Sequence, residues 1–217
     1  YAEGGIDDGS SSYGETTITS NKVVKDLRKL EKDDDVKAVV LRINSPGGSA
    51  YGSEQIWHAV EQLKAKKPVI VSMGNYAASG GYYIACNADT IVAEPTTLTG
   101  SIGIFGMIPN MKGLVQDKIG VHSSVVKTNR MSDFGDVSRP MSADEKALMQ
   151  KNVNNGYDLF LTRCSEGRGI DKQTLDGIAQ GRVWTGEKAK ELGLVDLLGG
   201  IDTALEIAIS KAGVEAY

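Results

Sequence analysis

A serine preceded by small residues and followed by two glycines, Ala77-Ala-Ser79-Gly80-Gly81, lies downstream of the apolar run Val69-Ile-Val-Ser-Met73. The β-branched run reads as a strand that stops at Gly74, and the Ala/Ser/Gly-rich stretch as the start of a helix reaching about Ala88. A serine at such a junction sits near the positive end of a helix, and Gly80 and Gly81 let a substrate backbone come close, so Ser79 is a candidate nucleophile. Upstream, Val36–Ile43 reads as another strand and Asn44-Ser-Pro-Gly-Gly48-Ser49 as a sharp turn behind it. Backbone N–H groups of Gly48 and Gly80 would supply the two donors that acyl transfer needs for its oxyanion. Singly, each stretch is equally well a tight turn or a small-residue packing site. Their order, each behind a strand, favours the chemical reading.

A nucleophilic serine needs a base. The chain has only two histidines, His58 in an amphipathic helical pattern and His122 at a strand start, and no triad-like motif surrounds either. Metal chemistry finds no ligand spacing among two histidines and two cysteines, and no phosphate-binding glycine motif occurs, so neither a metal nor a cofactor is expected. The remaining option is a lysine whose amine is neutral near pH 7, some three units below a free lysine, which demands burial or a cationic setting. Most lysines, such as Lys64, Lys66 and Lys67, fall on solvated faces, and none is identifiable as a buried base.

These residues need a scaffold, and 217 residues with 41% apolar content suit one α/β domain spanning 1–217. The 24 basic and 28 acidic residues are interspersed, giving a net charge of -4 without a basic stripe, which argues against nucleic acid as a partner. No apolar run approaches the ~20 residues that cross a bilayer, so this chain by itself is expected to be soluble. Cys86 and Cys164 read as buried thiols. Helices are expected at Val23–Leu30, Glu54–Lys66 and Met111–Lys118, and from a capping box at Ser142–Glu145 to about Ser165, with three shorter ones near Asp171, Thr185 and Asp202. Strands are expected at Val69–Met73, Thr90–Ala93, Ser101–Ile108 and Val121–Lys127. Such alternation implies a largely parallel sheet covered by helices. The polar segment 128–141 reads as a mobile loop, and residues 1–20 as a truncated lead-in, as if the chain were cut within a longer structure.

Four stretches carry a resemblance: Leu41-Arg-Ile-Asn-Ser-Pro-Gly-Gly-Ser49, Met73-Gly-Asn-Tyr-Ala-Ala-Ser-Gly-Gly-Tyr-Tyr-Ile84, Leu98-Thr-Gly-Ser-Ile-Gly-Ile-Phe-Gly106 and Gly181-Arg-Val-Trp-Thr-Gly-Glu-Lys-Ala-Lys-Glu-Leu-Gly-Leu-Val-Asp196. With them the chain resembles the signal peptide peptidase A (protease IV) family, serine peptidases of the Clp protease/crotonase fold, over nearly its whole length. The resemblance implies Ser79 as nucleophile, Gly48 and Gly80 as oxyanion donors and Ser101 as a hydroxyl that orients a lysine. Short family members place that lysine in a Gly-x-x-Lys setting after the strand here read as Val121–Lys127, where this chain has Asn129-Arg-Met-Ser132. The chain therefore looks like the C-terminal half of the long, Gram-negative-type form, whose lysine is on the N-terminal half; Lys127 is the alternative base within the chain. The resemblance further implies a homotetramer on the periplasmic face of the inner membrane that degrades cleaved signal peptides. Two other readings stay open: a crotonase-type acyl-CoA enzyme, against which Ser79 speaks, and a non-catalytic assembly half.

Overall fold

The computed structural model of the chain describes residues 1–9 and 17–214. Along the chain run β1 (Ala2–Glu3), β2 (Gly5–Asp7), β3 (Thr17–Thr19), α1 (Ser20–Lys32), β4 (Val39–Ser45), α2 (Ala50–Lys64), β5 (Val69–Ala78) and α3 (Gly80–Tyr83). They are followed by β6 (Thr90–Ala93), β7 (Leu98–Gly100), α4 (Ala143–Arg168), α5 (Lys172–Ile178), β8 (Val183–Thr185), α6 (Gly186–Glu191), β9 (Leu197–Leu198) and α7 (Ile201–Ala212). The chain divides into two compact units, one of residues 1–103 with 157–217 and one of residues 104–156.

The first unit is organised by β5. Its buried run from Val69 to Gly74 is what a strand covered on both faces needs. β1, β4, β5, β6 and β9 lie side by side, and every pair among them is parallel. β5 is long enough to take two successive neighbours: Ile70–Ser72 pair with Thr90–Val92 of β6, and Tyr76–Ala78 pair with Leu98–Gly100 of β7. β8 closes antiparallel on β7. Ile70, Val92, Ala204 and Ala208 form a core where α7 meets the sheet. The predicted α/β class with a mostly parallel sheet under helices is what the unit shows.

Several boundaries differ from the sequence reading. β5 does not stop at Gly74 but runs to Ala78, because Thr97 Oγ1 donates to Gly74 O (2.7 Å) and Thr99 Oγ1 to Ala77 O (2.7 Å), tying the extension to the β7 segment. The helix expected to reach Ala88 is only Gly80–Tyr83, followed by turns. β4 starts at Val39 and continues through Asn44 and Ser45, with a register shift between Ile43 and Ser45. The strand expected at Ser101–Ile108 is instead β7 at Leu98–Gly100, with no regular structure from 101 to 111. Of the lead-in, residues 1–9 carry β1 and β2, whereas 10–16 lie outside the described residues.

In the second unit the expected helix at Met111–Lys118 is a π-helical turn, Gly113–Lys118, closed by Ile119 N–H to Leu114 O at 3.1 Å. Val121–Lys127 forms no strand among the described residues, since β propensity does not make a strand without a partner to pair with, and Val126 stands 98% exposed. The predicted capping box opens α4, with Ser142 N–H donating to Glu145 Oε2 (2.7 Å) and Glu145 N–H to Ser142 Oγ (3.3 Å). No helix among the described residues is long and apolar enough to cross a membrane.

Candidate active site

Ser79 occupies the corner between β5 and α3, with φ 53° and ψ -121°. A left-handed φ is sterically costly for a serine and marks a position the surroundings enforce. The enforcement is visible: Ser79 N–H donates to Gly100 O (2.9 Å), and Ser79 O accepts from the N–H groups of Tyr82 and Tyr83 (both 2.9 Å). The corner presents a half-buried side chain, and its Oγ has no hydrogen-bond partner among the described residues. A nucleophilic role for such a hydroxyl requires a group that can take its proton.

The turn after β4 comes directly against this corner. A Cβ on Gly47 would lie 2.7 Å from Gly80 N and 2.7 Å from Ser79 Cβ, and one on Gly81 would lie 2.7 Å from Ser45 O. Only glycine permits that approach. Gly48 has φ 151°, and β2 fixes it from the other side: Ile6 N–H donates to Gly47 O (2.9 Å) and Ser49 N–H to Ile6 O (2.8 Å). Neither the N–H of Gly48 nor that of Gly80 has an acceptor among the described residues. Two unused donors on adjoining turns beside a serine are what an oxyanion site requires.

Ser101 follows Gly100, which pairs with Ala78, so Ser79 and Ser101 leave neighbouring parallel strands at the same level. Ser101 is also left-handed, φ 50°, and its N–H donates to Arg182 O at 2.7 Å. Gly181 N–H donates in turn to Ile102 O at 2.8 Å. This bracing by 180–184 is not apparent from residue types alone, although the Gly181–Asp196 motif is its signal.

α3 is secured from below. Tyr83 Oη donates to Glu54 Oε2 (2.5 Å), Arg163 Nη2 pairs with Glu54 Oε1 (2.7 Å), and the Arg163 guanidinium stacks on Trp57 at 3.9 Å. Tyr82 Oη donates to Leu194 O (2.9 Å), and burial pushes its phenol well up. Cys86 and Cys164 are free and buried, as expected; burial, and then contact with Cys86, push the Cys164 thiol up.

Lys127 belongs to the second unit. Its Nζ pairs with Asp133 Oδ2 (2.6 Å), which also takes Arg139 Nε (2.8 Å), while Arg139 Nη2 reaches Glu145 Oε1 (2.6 Å). Arg139 and then Lys127 hold the Asp133 carboxyl far below the usual range, and Arg139 with the Ser142 N–H brings Glu145 down to about 2. Segment 128–141 is thus knit by ion pairs, and Lys127 is engaged as one of their cations.

The family model described as Peptidase family S49 matches residues 61–215, and that described as Clp protease matches residues 13–97, in keeping with the parallel α/β sheet. Protease 4 of Haemophilus influenzae is 45% identical over 95% of this chain and 33% of its own length, and Protease 4 of Salmonella typhi is 42% identical over 100% of this chain and 35% of its own. The chloroplastic serine protease SPPA of Arabidopsis thaliana is 36% identical over 92% of the chain and 29% of its own length. The chain thus spans about a third of the length of these relatives.

Proposed function

The chain belongs to peptidase family S49, and from that membership we propose that it is the serine-bearing domain of a serine endopeptidase that works with a lysine base. The observation that carries the reading is the left-handed Ser79 corner, with its free Oγ, set against two unused backbone donors, Gly48 and Gly80. In the proposed reaction Ser79 Oγ attacks a peptide carbonyl as the lysine amine takes its proton. The carbonyl oxygen becomes an oxyanion accepted by the Gly48 and Gly80 N–H groups. Collapse expels the amine, which receives the proton, and water then hydrolyses the acyl-enzyme. Ser101, on the neighbouring strand end, orients the lysine.

The base itself is assigned to the N-terminal half of a longer polypeptide. Two facts support this: Lys127 is bound to Asp133, and the relatives named Protease 4 are about three times as long as the span matched here. Peptide substrates follow from the family, and remnants of cleaved signal peptides, assembly as a tetramer and a periplasmic inner-membrane location are proposed by the resemblance. A fluorophosphonate probe applied to the full reading frame tests the assignment: phosphonylation mapped to Ser79 is expected, and a probe that leaves Ser79 unmodified while peptide is cleaved contradicts it. Binding of an acyl-CoA would instead favour the crotonase-type reading, which the free Ser79 Oγ disfavours.

A further inference from the structure

Three non-glycine residues have a left-handed φ among the described residues: Ser79 (53°), Ser101 (50°) and Gln180 (56°). They are not scattered. Ser79 N–H bonds to Gly100 O, Ser101 N–H to Arg182 O and Gly181 N–H to Ile102 O, so each left-handed residue lies within two positions of a bond leading to the next. At the far end of this series, Gln180 N–H donates to Tyr157 Oη (3.1 Å), and Tyr157 Oη donates to Asp176 Oδ1 (2.5 Å). Arg182 N–H returns to Ala179 O (3.1 Å) and Trp184 Nε1 to Ile178 O (3.0 Å), closing the turn. The Gln180 residue is exposed, and the partner of its side chain is Arg182 of the same turn, at 3.3 Å. Its backbone, not its amide group, does the holding.

We propose that the Gln180 turn, clamped by Tyr157 and Asp176, is a positioning device that sets Ser101, and through Gly100 the Ser79 corner, in reactive geometry. A left-handed backbone persists where its neighbours over-determine it. Here the hydroxyl of one tyrosine fixes the N–H of Gln180, and the next two residues dictate the register of Ser101 and Ile102. Gly103 shows how close the fit is, since a Cβ there would lie 2.9 Å from both Cα and N of Gly181. Gln180 and Tyr157 act through Ser101, not on the substrate. The inference rests on the proposed serine chemistry.

The test compares Gln180→Gly, Gln180→Val and Tyr157→Phe in the full reading frame, measuring kcat and KM on an apolar peptide, phosphonylation of Ser79 and thermal melting. Glycine accepts the left-handed turn and should retain wild-type turnover, whereas β-branched valine resists it. The valine and phenylalanine variants should lose about ten- to a hundredfold in kcat, the scale of a small misplacement, with KM unchanged. Restoration by glycine of what valine removes is the signature of a backbone role. Wild-type kcat in both Gln180→Val and Tyr157→Phe, or a Gln180→Gly loss as large as that of valine, overturns the proposal. If valine prevents folding, Tyr157→Phe decides: lowered kcat supports the clamp, and unchanged kcat refutes it. Ser79 phosphonylated in the wild type but kcat unmoved by these variants refutes the clamp alone; Ser79 not phosphonylated refutes the serine chemistry, and the clamp falls with it.

Discussion

Gly48→Ala is the sharpest single perturbation of the proposed oxyanion site. The added Cβ would lie 2.2 Å from Ile6 O and 2.6 Å from Ile6 N, whereas ordinary contact begins at 3.4 Å. Ile6 cannot simply withdraw, because its N–H is bonded to Gly47 O (2.9 Å) and its O to Ser49 N–H (2.8 Å). Relieving the clash breaks both bonds, at about 1 kcal/mol each, and alanine also resists the 151° φ. The Gly48 N–H is then displaced from its place, and losing one oxyanion donor costs about 2.7–4 kcal/mol of transition-state stabilisation, or roughly 10²–10³ in kcat. Gly213→Ala is the control: φ is 65° but nothing lies within 4 Å of the new Cβ, so stability alone should fall, by about 1–2 kcal/mol. Steady-state kinetics on the full reading frame, with melting of each variant, separate the two effects. Wild-type kcat in a folded Gly48→Ala protein would refute the assignment of Gly48 as a donor.

Other expectations follow from the same geometry. Ser142→Ala removes half of the capping box and should lower stability by about 1 kcal/mol, read as a shift of the urea midpoint. Glu145 has its carboxyl depressed from 4.5 to about 2, so its contribution is complete above about pH 4.5 and is lost as pH falls towards 2. Glu145→Gln should therefore flatten the acid limb of urea stability between pH 5 and 2.5, and an unchanged limb would exclude Glu145 as its source. Arg163→Ala strips Glu54 of its cation and Trp57 of its stacked partner, and a loss of about 1–3 kcal/mol in chemical denaturation is expected. Cys86 and Cys164 should resist iodoacetamide in the native protein and both react in denaturant, as counted by mass.

The parallel sheet was legible because β4 and β5 open on β-branched apolar residues and alternate with helical patterns, and α4 because Ser142 and Glu145 spell a capping box. The proposed site residues Gly48, Ser79 and Gly80 could be named because glycine beside a small hydroxyl residue is a local pattern with a local cause. The extension of β5 to Ala78 could not be read, since it depends on Thr97 and Thr99 arriving from a later segment. Val121–Lys127 failed for the opposite reason: its composition favours a strand, but pairing is a tertiary event. The Tyr157–Gln180 contact joins residues 23 apart through a backbone N–H, which leaves no trace in residue type.

In the proposed function Ser79 is the nucleophile and its base lies outside residues 1–217. Cleavage of an apolar signal-like peptide, measured with this chain alone and with the full reading frame, each beside its Ser79→Ala version, tests both parts at once. Cleavage only by the full reading frame, abolished by Ser79→Ala, is the expected result. Full Ser79-dependent cleavage by the isolated chain would contradict the external base and return the role to Lys127, and cleavage that survives Ser79→Ala would contradict the nucleophile.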